Sequence, residues 1–115
     1  MIEQTSIKGE LLDNFLLDLR KGTVVLVLLA QLRQEQYGYA LQKSLTKQGM
    51  ELEQGVIYPL LRRLEKQGLL QSQWRVEKSR PRKYYSISPV GEQLLLALTA
   101  EWHTSVASIN SLLAG

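Results

Sequence analysis

Cysteine is absent from the 115 residues. That excludes disulfides, thiolate metal sites and cysteine nucleophiles together. Histidine occurs once, as His103, so one chain cannot assemble a multi-histidine metal site. No long hydrophobic run exists. The longest, residues 24–30, has seven apolar side chains and falls far short of a membrane span. The opening residues, Met1-Ile2-Glu3-Gln4-Thr5, have no basic stretch and no apolar core, so a secretory signal is not expected. A glycine-rich phosphate loop is missing too, since Gly38, Gly49 and Gly55 are scattered turn and cap positions. A catalytic reading of His103 with Ser105 or Ser108 fails, because one helix does not supply triad geometry. The expectation is a small cytoplasmic domain with no metal, cofactor or membrane partner and no enzymatic role. At 44% hydrophobic and 22% charged residues it has the composition of one ordinary globular domain.

Positive charge is also missing from a large part of the chain. Beyond Lys83 there is no Lys or Arg, only Glu92 and Glu101. Of the net +3, residues 75–83 supply +4 through Arg75, Lys78, Arg80, Arg82 and Lys83 against Glu77, leaving −1 for the other 106 residues. A chain that attracts polyanions at one short segment is a candidate to dock that segment on phosphate. The plainer reading is a solvated hairpin tip.

Apolar spacing organises the rest. Leu12, Phe15, Leu16 and Leu19 recur at helical intervals over residues 10–20, and Lys21-Gly22 reads as the stop. Thr23 reads as the cap of a second helix over 24–34. Its β-branched start suits a strand equally, but its length and its Gln31-Leu32-Arg33-Gln34 tail favour a buried helix. Tyr37-Gly38-Tyr39 reads as a turn. Ala40, Leu41, Ser44 and Leu45 then line a short helix that stops at Gly49. Ile57, Leu60, Leu61 and Leu64 form the inner stripe of a helix over 54–67, closed by Gly68. Pro59 fits if that helix begins near Gln54.

The period then shortens. Leu70, Ser72, Trp74 and Val76 alternate, as do Tyr85 and Ile87 against Tyr84, Ser86 and Ser88. These predict a hairpin with Lys78-Ser79-Arg80-Pro81 at its tip. Ser88-Pro89 opens a last helix, Ser at the cap and Pro at the first position, with Glu92 near the capping-box position. Leu95, Leu98, Trp102, Ser105, Ile109 and Leu112 are spaced as a short heptad seam.

The expected fold is mainly α with a β-hairpin, in a winged helix-turn-helix arrangement. In that motif a helix fits the major groove and its neighbour crosses the backbone. The groove helix here presents Gln54, Gly55, Tyr58, Arg62 and either Glu65 or Lys66 outward, with Arg63 as a further cation. The hairpin brings Lys78, Arg80, Arg82 and Lys83 toward phosphate.

The strings Gly55-Val56-Ile57-Tyr58-Pro59-Leu60-Leu61-Arg62-Arg63-Leu64-Glu65-Lys66-Gln67-Gly68 and Arg80-Pro81-Arg82-Lys83-Tyr84-Tyr85-Ser86-Ile87-Ser88-Pro89 resemble the groove helix and wing of PadR-type transcriptional regulators. Leu19-Arg20-Lys21-Gly22-Thr23 and Tyr37-Gly38-Tyr39 are similar to the family's first two blocks. Ala40 departs from it, since an acidic residue is frequent there. The resemblance covers roughly residues 15–113.

It implies a cytoplasmic bacterial regulator, usually a repressor, that binds double-stranded DNA as a homodimer. It places Tyr58 on the DNA face and Arg80, Arg82 and Lys83 on the wing. The winged unit with its N-terminal helix would span 1–88, and a dimerisation helix 89–115, in one compact unit. The dimer interface would then use Leu12, Phe15, Leu95, Leu98, Trp102, Ile109 and Leu112. A small planar apolar effector is expected against Trp102, with Phe15 as a wall. The competing reading is a winged-helix module that docks its basic hairpin on an acidic protein. The polar outer face of residues 54–67 argues for DNA, because a protein adaptor has no need of it.

Overall fold

The computed structural model describes residues 8–115, and the expectation for Met1 to Thr5 lies outside them. The described elements run α1 (Gly9–Gln31), β1 (Gln36–Tyr37), α2 (Gly38–Lys47), α3 (Gln54–Lys66), β2 (Leu70–Glu77), β3 (Arg80–Ile87) and α4 (Pro89–Ala114).

The predicted stop at Lys21-Gly22 does not occur. One helix of 23 residues runs through it. A mid-helix glycine costs about 1 kcal/mol against alanine but removes no backbone hydrogen bond. The Thr23 hydroxyl, expected to cap a new helix, instead donates back to the Arg20 carbonyl at 2.8 Å. Burial then holds the second half of the helix, where Val24, Leu28 and Leu29 enter the core. The helix ends at Gln31, three residues before the expected end, and Arg33 and Gln34 close it with turn hydrogen bonds to Ala30 and Gln31.

Tyr37-Gly38-Tyr39 is not a free turn either. Gln36 and Tyr37 pair with Tyr85 and Tyr84 of β3, and α2 begins at Gly38. A Cβ on Gly38 would lie 2.3 Å from the Tyr58 ring, so glycine is what lets α2 approach α3. Helices α2 and α3 end alike. Gly49 and Gly68 adopt φ of 93° and 80°. The following amides, Met50 and Leu69, reach back to the carbonyls of Leu45 and Leu64 at 2.8 and 2.9 Å. This is the Schellman arrangement that glycine permits.

The three strands form an antiparallel sheet in the order β1-β3-β2. The wing tip is tighter than predicted. Only Lys78 and Ser79 make the turn, with φ of 51° and 63°, while Arg80 and Pro81 already belong to β3. Two left-handed residues suit the right-handed twist of a hairpin.

At the start of α4 the Ser88 hydroxyl accepts from the Gly91 amide at 3.0 Å and donates to the Gly68 carbonyl at 2.6 Å. Glu92 falls one position past the capping-box site, its amide bonding the Ser88 carbonyl at 2.9 Å. A Cβ on Gly91 would meet the Leu69 carbonyl oxygen at 2.1 Å. Helix α4 is therefore seated directly on the α3–β2 connection.

One core joins these elements. Leu28, Leu29, Leu32, Leu41, Ile57, Leu61 and Leu64 are fully buried at its centre, with Tyr85, Ile87 and Leu95 closing it from the sheet and α4. Leu95 corrects the predicted seam: at 7% exposure it packs inside its own chain instead of outward. Leu98 is half-buried against the same core. The outer turns of α1 and α4 extend beyond that core and give the molecule a 61 Å long axis against 30 and 22 Å.

Candidate nucleic-acid interface

Helix α3 buries Ile57, Leu61 and Leu64 and turns Gln54, Gly55, Arg62, Arg63 and Lys66 to solvent. Tyr58 is half-buried, its ring lying over Gly38 at the start of α2. That contact orients the ring at the rim of the exposed face instead of its centre. Of the two alternatives at the helix end, Lys66 is exposed. Glu65 is turned aside toward the wing.

Strand register divides the wing into two faces. Side chains directly opposite share a face. One face has Leu70 opposite Ile87, Ser72 opposite Tyr85, Trp74 opposite Lys83 and Val76 opposite Pro81. It looks toward α3: the Glu65 carboxylate accepts from the Ser72 hydroxyl and lies 3.0 Å from the Lys83 ammonium. The Ser72 hydroxyl, more than Lys83, holds the Glu65 carboxyl below its ordinary value. The hydrogen bond to Glu65 in turn raises Lys83 above its own.

The other face has Gln73 opposite Tyr84, Arg75 opposite Arg82 and Glu77 opposite Arg80. Like charges placed opposite each other repel unless matched, and here they are matched. Arg75 lies 2.6 Å from Glu35 and 4.8 Å above the Tyr84 ring. Arg82 lies 3.7 Å from Glu77 and 4.4 Å above the Tyr37 ring. The Tyr84 hydroxyl donates to Glu77 at 2.6 Å, and the Tyr37 and Tyr84 rings meet edge to face at 5.4 Å. The hydrogen bond to Glu77 raises the Tyr84 value.

The basic segment is therefore not one uniform patch. Arg82 and Lys83, neighbours in sequence, point to opposite faces and are both engaged within the chain. Counting Glu35 and Glu65 with the segment lowers its local formal charge from +4 to +2. Among the described residues, Lys78 and Arg80 at the tip are the wing cations without an ion-pair partner. The alternation of a strand would have separated Arg82 from Lys83 in advance. The partners Glu35, Tyr37 and Glu65 carry no such local signal.

Of the residues expected at the helical interface, Leu12 and Phe15 in the first half of α1 and Trp102, Ile109 and Leu112 in the second half of α4 are exposed. A hollow of about 170 Å³ between the two helices is lined by Gly22, Leu26, Leu98, Glu101, Trp102 and Ser105. Phe15, predicted as a wall beside Trp102, is 64% exposed and does not line it. Among the described residues there is no cluster that could hold a metal ion, and no helix is long and apolar enough to cross a membrane.

A helical core, a groove-sized helix with a cationic outer face and a cation-tipped hairpin define a winged-helix protein. Residues 25–97 match the transcriptional regulator PadR-like family, and the chain belongs to it. A PadR family transcriptional regulator from Eggerthella lenta is similar throughout. It shares 44% identity and a TM-score of 0.85, covering 90% of this chain and 93% of that one. A PadR-like regulator from Bacillus cereus shares 33% identity at a TM-score of 0.76, over 85% of this chain and 98% of that one. The transcriptional regulator Rv3488 of Mycobacterium tuberculosis is 39% identical over 61 residues. That match spans 53% of this chain and 57% of the relative.

Proposed function

We propose that this PadR-family regulator binds double-stranded DNA as a homodimer in the cytoplasm and represses transcription by occupying a promoter. The observation that carries the reading is the placement of charge. The exposed face of α3 offers Gln54, Gly55, Arg62, Arg63 and Lys66, with Tyr58 at its rim, and the wing tip offers Lys78 and Arg80. A helix in the major groove and a hairpin tip at the adjacent backbone use such side chains for base and phosphate contacts. Arg82 and Lys83 join only by exchanging their present carboxylate partners for phosphate.

The dimer reading rests on exposed apolar side chains. Leu12 and Phe15 on α1 and Trp102, Ile109 and Leu112 on α4 are large apolar side chains left in water, as at sites of protein association. A second copy covers them with like surface. Two α3 helices related by a two-fold axis then meet half-sites about one helical turn apart. A small planar apolar effector fits against Trp102 in the hollow between α1 and α4, and displacement of the helices there relieves repression.

Duplex binding measured over a range of salt concentrations tests the central step. Log affinity should fall steeply and linearly with log salt, and Arg80→Ala should reduce the slope by about one. Binding that is absent, or insensitive to salt, would return the chain to the reading of a protein-docking module.

A further inference from the structure

One feature of the wing has no role in phosphate binding or in the fold. Trp74 is 65% exposed and Val76 is 74% exposed, and Pro81 opposite Val76 is exposed as well. All three lie on the wing face that looks toward α3, because Trp74 stands opposite Lys83, and Lys83 is tied to Glu65 of α3. Nearer the base the same face is buried as Leu70, Tyr85 and Ile87. The apolar stripe thus continues past the point where the chain has anything to cover it. A tryptophan left in water at a hairpin tip is unfavourable unless something else covers it.

We infer that Trp74, with Val76 and Pro81, is a duplex-contacting apolar edge that packs on the sugar–phosphate strand running between the two grooves. The inference rests on the DNA-binding reading above. A helix in the major groove and a wing at the neighbouring minor groove straddle one strand of the duplex. That strand must occupy the corner between α3 and the wing. Glu65, bonded to both Ser72 and Lys83, sets the angle of the corner. The strand alternates charged phosphate with deoxyribose, whose C–H surface calls for apolar cover. The corner offers both kinds of surface: Lys83 stands level with Trp74, apolar Val76 and Pro81 lie beyond them, and Lys78 turns the tip. The indole N–H also remains available to donate to a phosphate oxygen.

The test uses the full chain and a labelled mixed-sequence duplex of about 30 base pairs, enough for two half-sites. Trp74→Ala should weaken binding about tenfold at every salt concentration, the scale of covering a large apolar ring. It should leave the salt slope unchanged, since no phosphate charge is involved. Trp74→Phe should keep most of the affinity. In Trp102→Phe, which leaves Trp74 as the single tryptophan, emission should change on duplex addition. Unfolding curves of the variants separate a lost contact from a lost fold.

An affinity loss under twofold in Trp74→Ala, or an emission of Trp102→Phe that the duplex leaves unchanged, overturns the inference and leaves the DNA-binding reading standing. A Trp74→Ala protein with an altered oligomeric state assigns the edge to a protein partner and also overturns it. Absence of salt-dependent duplex binding by the wild type sinks both readings together.

Discussion

Leu28 and Leu112 are both leucines on long helices, yet one is fully buried and the other is 79% exposed. The contrast extends to their regions. The second half of α1 sends Val24, Leu28 and Leu29 into the core that α2, α3, the sheet and the start of α4 share. The first half of α1 and the second half of α4 carry Leu12, Phe15, Ile109 and Leu112 at the surface. Apolar spacing is helical in both regions. It says that a face must be covered, and it does not say by which chain. The head finishes its own core. The helical ends leave their apolar side chains in solvent.

Substitutions test whether the two regions differ in this way. The largest effect belongs to the centre of the core. Leu28→Ala or Leu61→Ala should cost about 2–5 kcal/mol in denaturant unfolding. Leu112→Ala should cost the isolated head less than about 0.5 kcal/mol, as surface changes do. It should instead weaken self-association, which sedimentation would report. Equal losses at Leu28 and Leu112 would erase the distinction between the two regions.

Next come the glycines. Gly91→Ala should destabilise by about 1–3 kcal/mol, because its methyl must displace the backbone of Leu69. Gly22→Ala meets nothing within 4 Å and lies inside α1, so it should stabilise by up to about 1 kcal/mol. A loss there would mean that α1 is interrupted at Gly22 after all.

The smallest expected effect concerns the tie between α3 and the wing. The folded value of Glu65 lies below its unfolded one, chiefly through Ser72. Its stabilisation is thus present above the ordinary glutamate range and is lost as pH falls through the lowered folded value. Lys83 has the opposite sign. Its contribution is present below the ordinary lysine range and fades as pH rises through its raised value. A carbon-detected titration of the Glu65 carboxyl should move upward in Ser72→Ala and in Lys83→Met, and further in Ser72→Ala. An unmoved midpoint would show that the tie does not form in solution.

Much of the architecture was legible in advance because its signals are local. Ser88-Pro89, Gly49 and Gly68 each specify a cap through residues within one turn, and the hairpin follows from alternation over 70–88. Local signals mislead where they meet tertiary packing. Lys21-Gly22-Thr23 looks like a stop, but the buried half of α1 carries the helix through it. Tyr37 looks like part of a turn, but β3 supplies a strand for it to pair with. Leu95 shares the heptad spacing of Ile109, but it sits where α4 crosses the core.

The candidate interface divides the same way. The outward face of α3 follows from helical periodicity and needs nothing beyond residues 54–67. The standing of each wing cation does not. Whether a wing cation is free or engaged depends on Glu35, Tyr37 and Glu65, which lie 18 or more residues away in the chain.

Near neighbours and composition specify most of the helices and strands, several of their caps, and the concentration of positive charge in one hairpin. Three-dimensional packing sets which of those charges remain unpaired, that Trp74 stands uncovered beside α3, and which apolar faces stay in solvent. Coulomb attraction and burial act between atoms a few ångströms apart in space, however far apart they are in sequence.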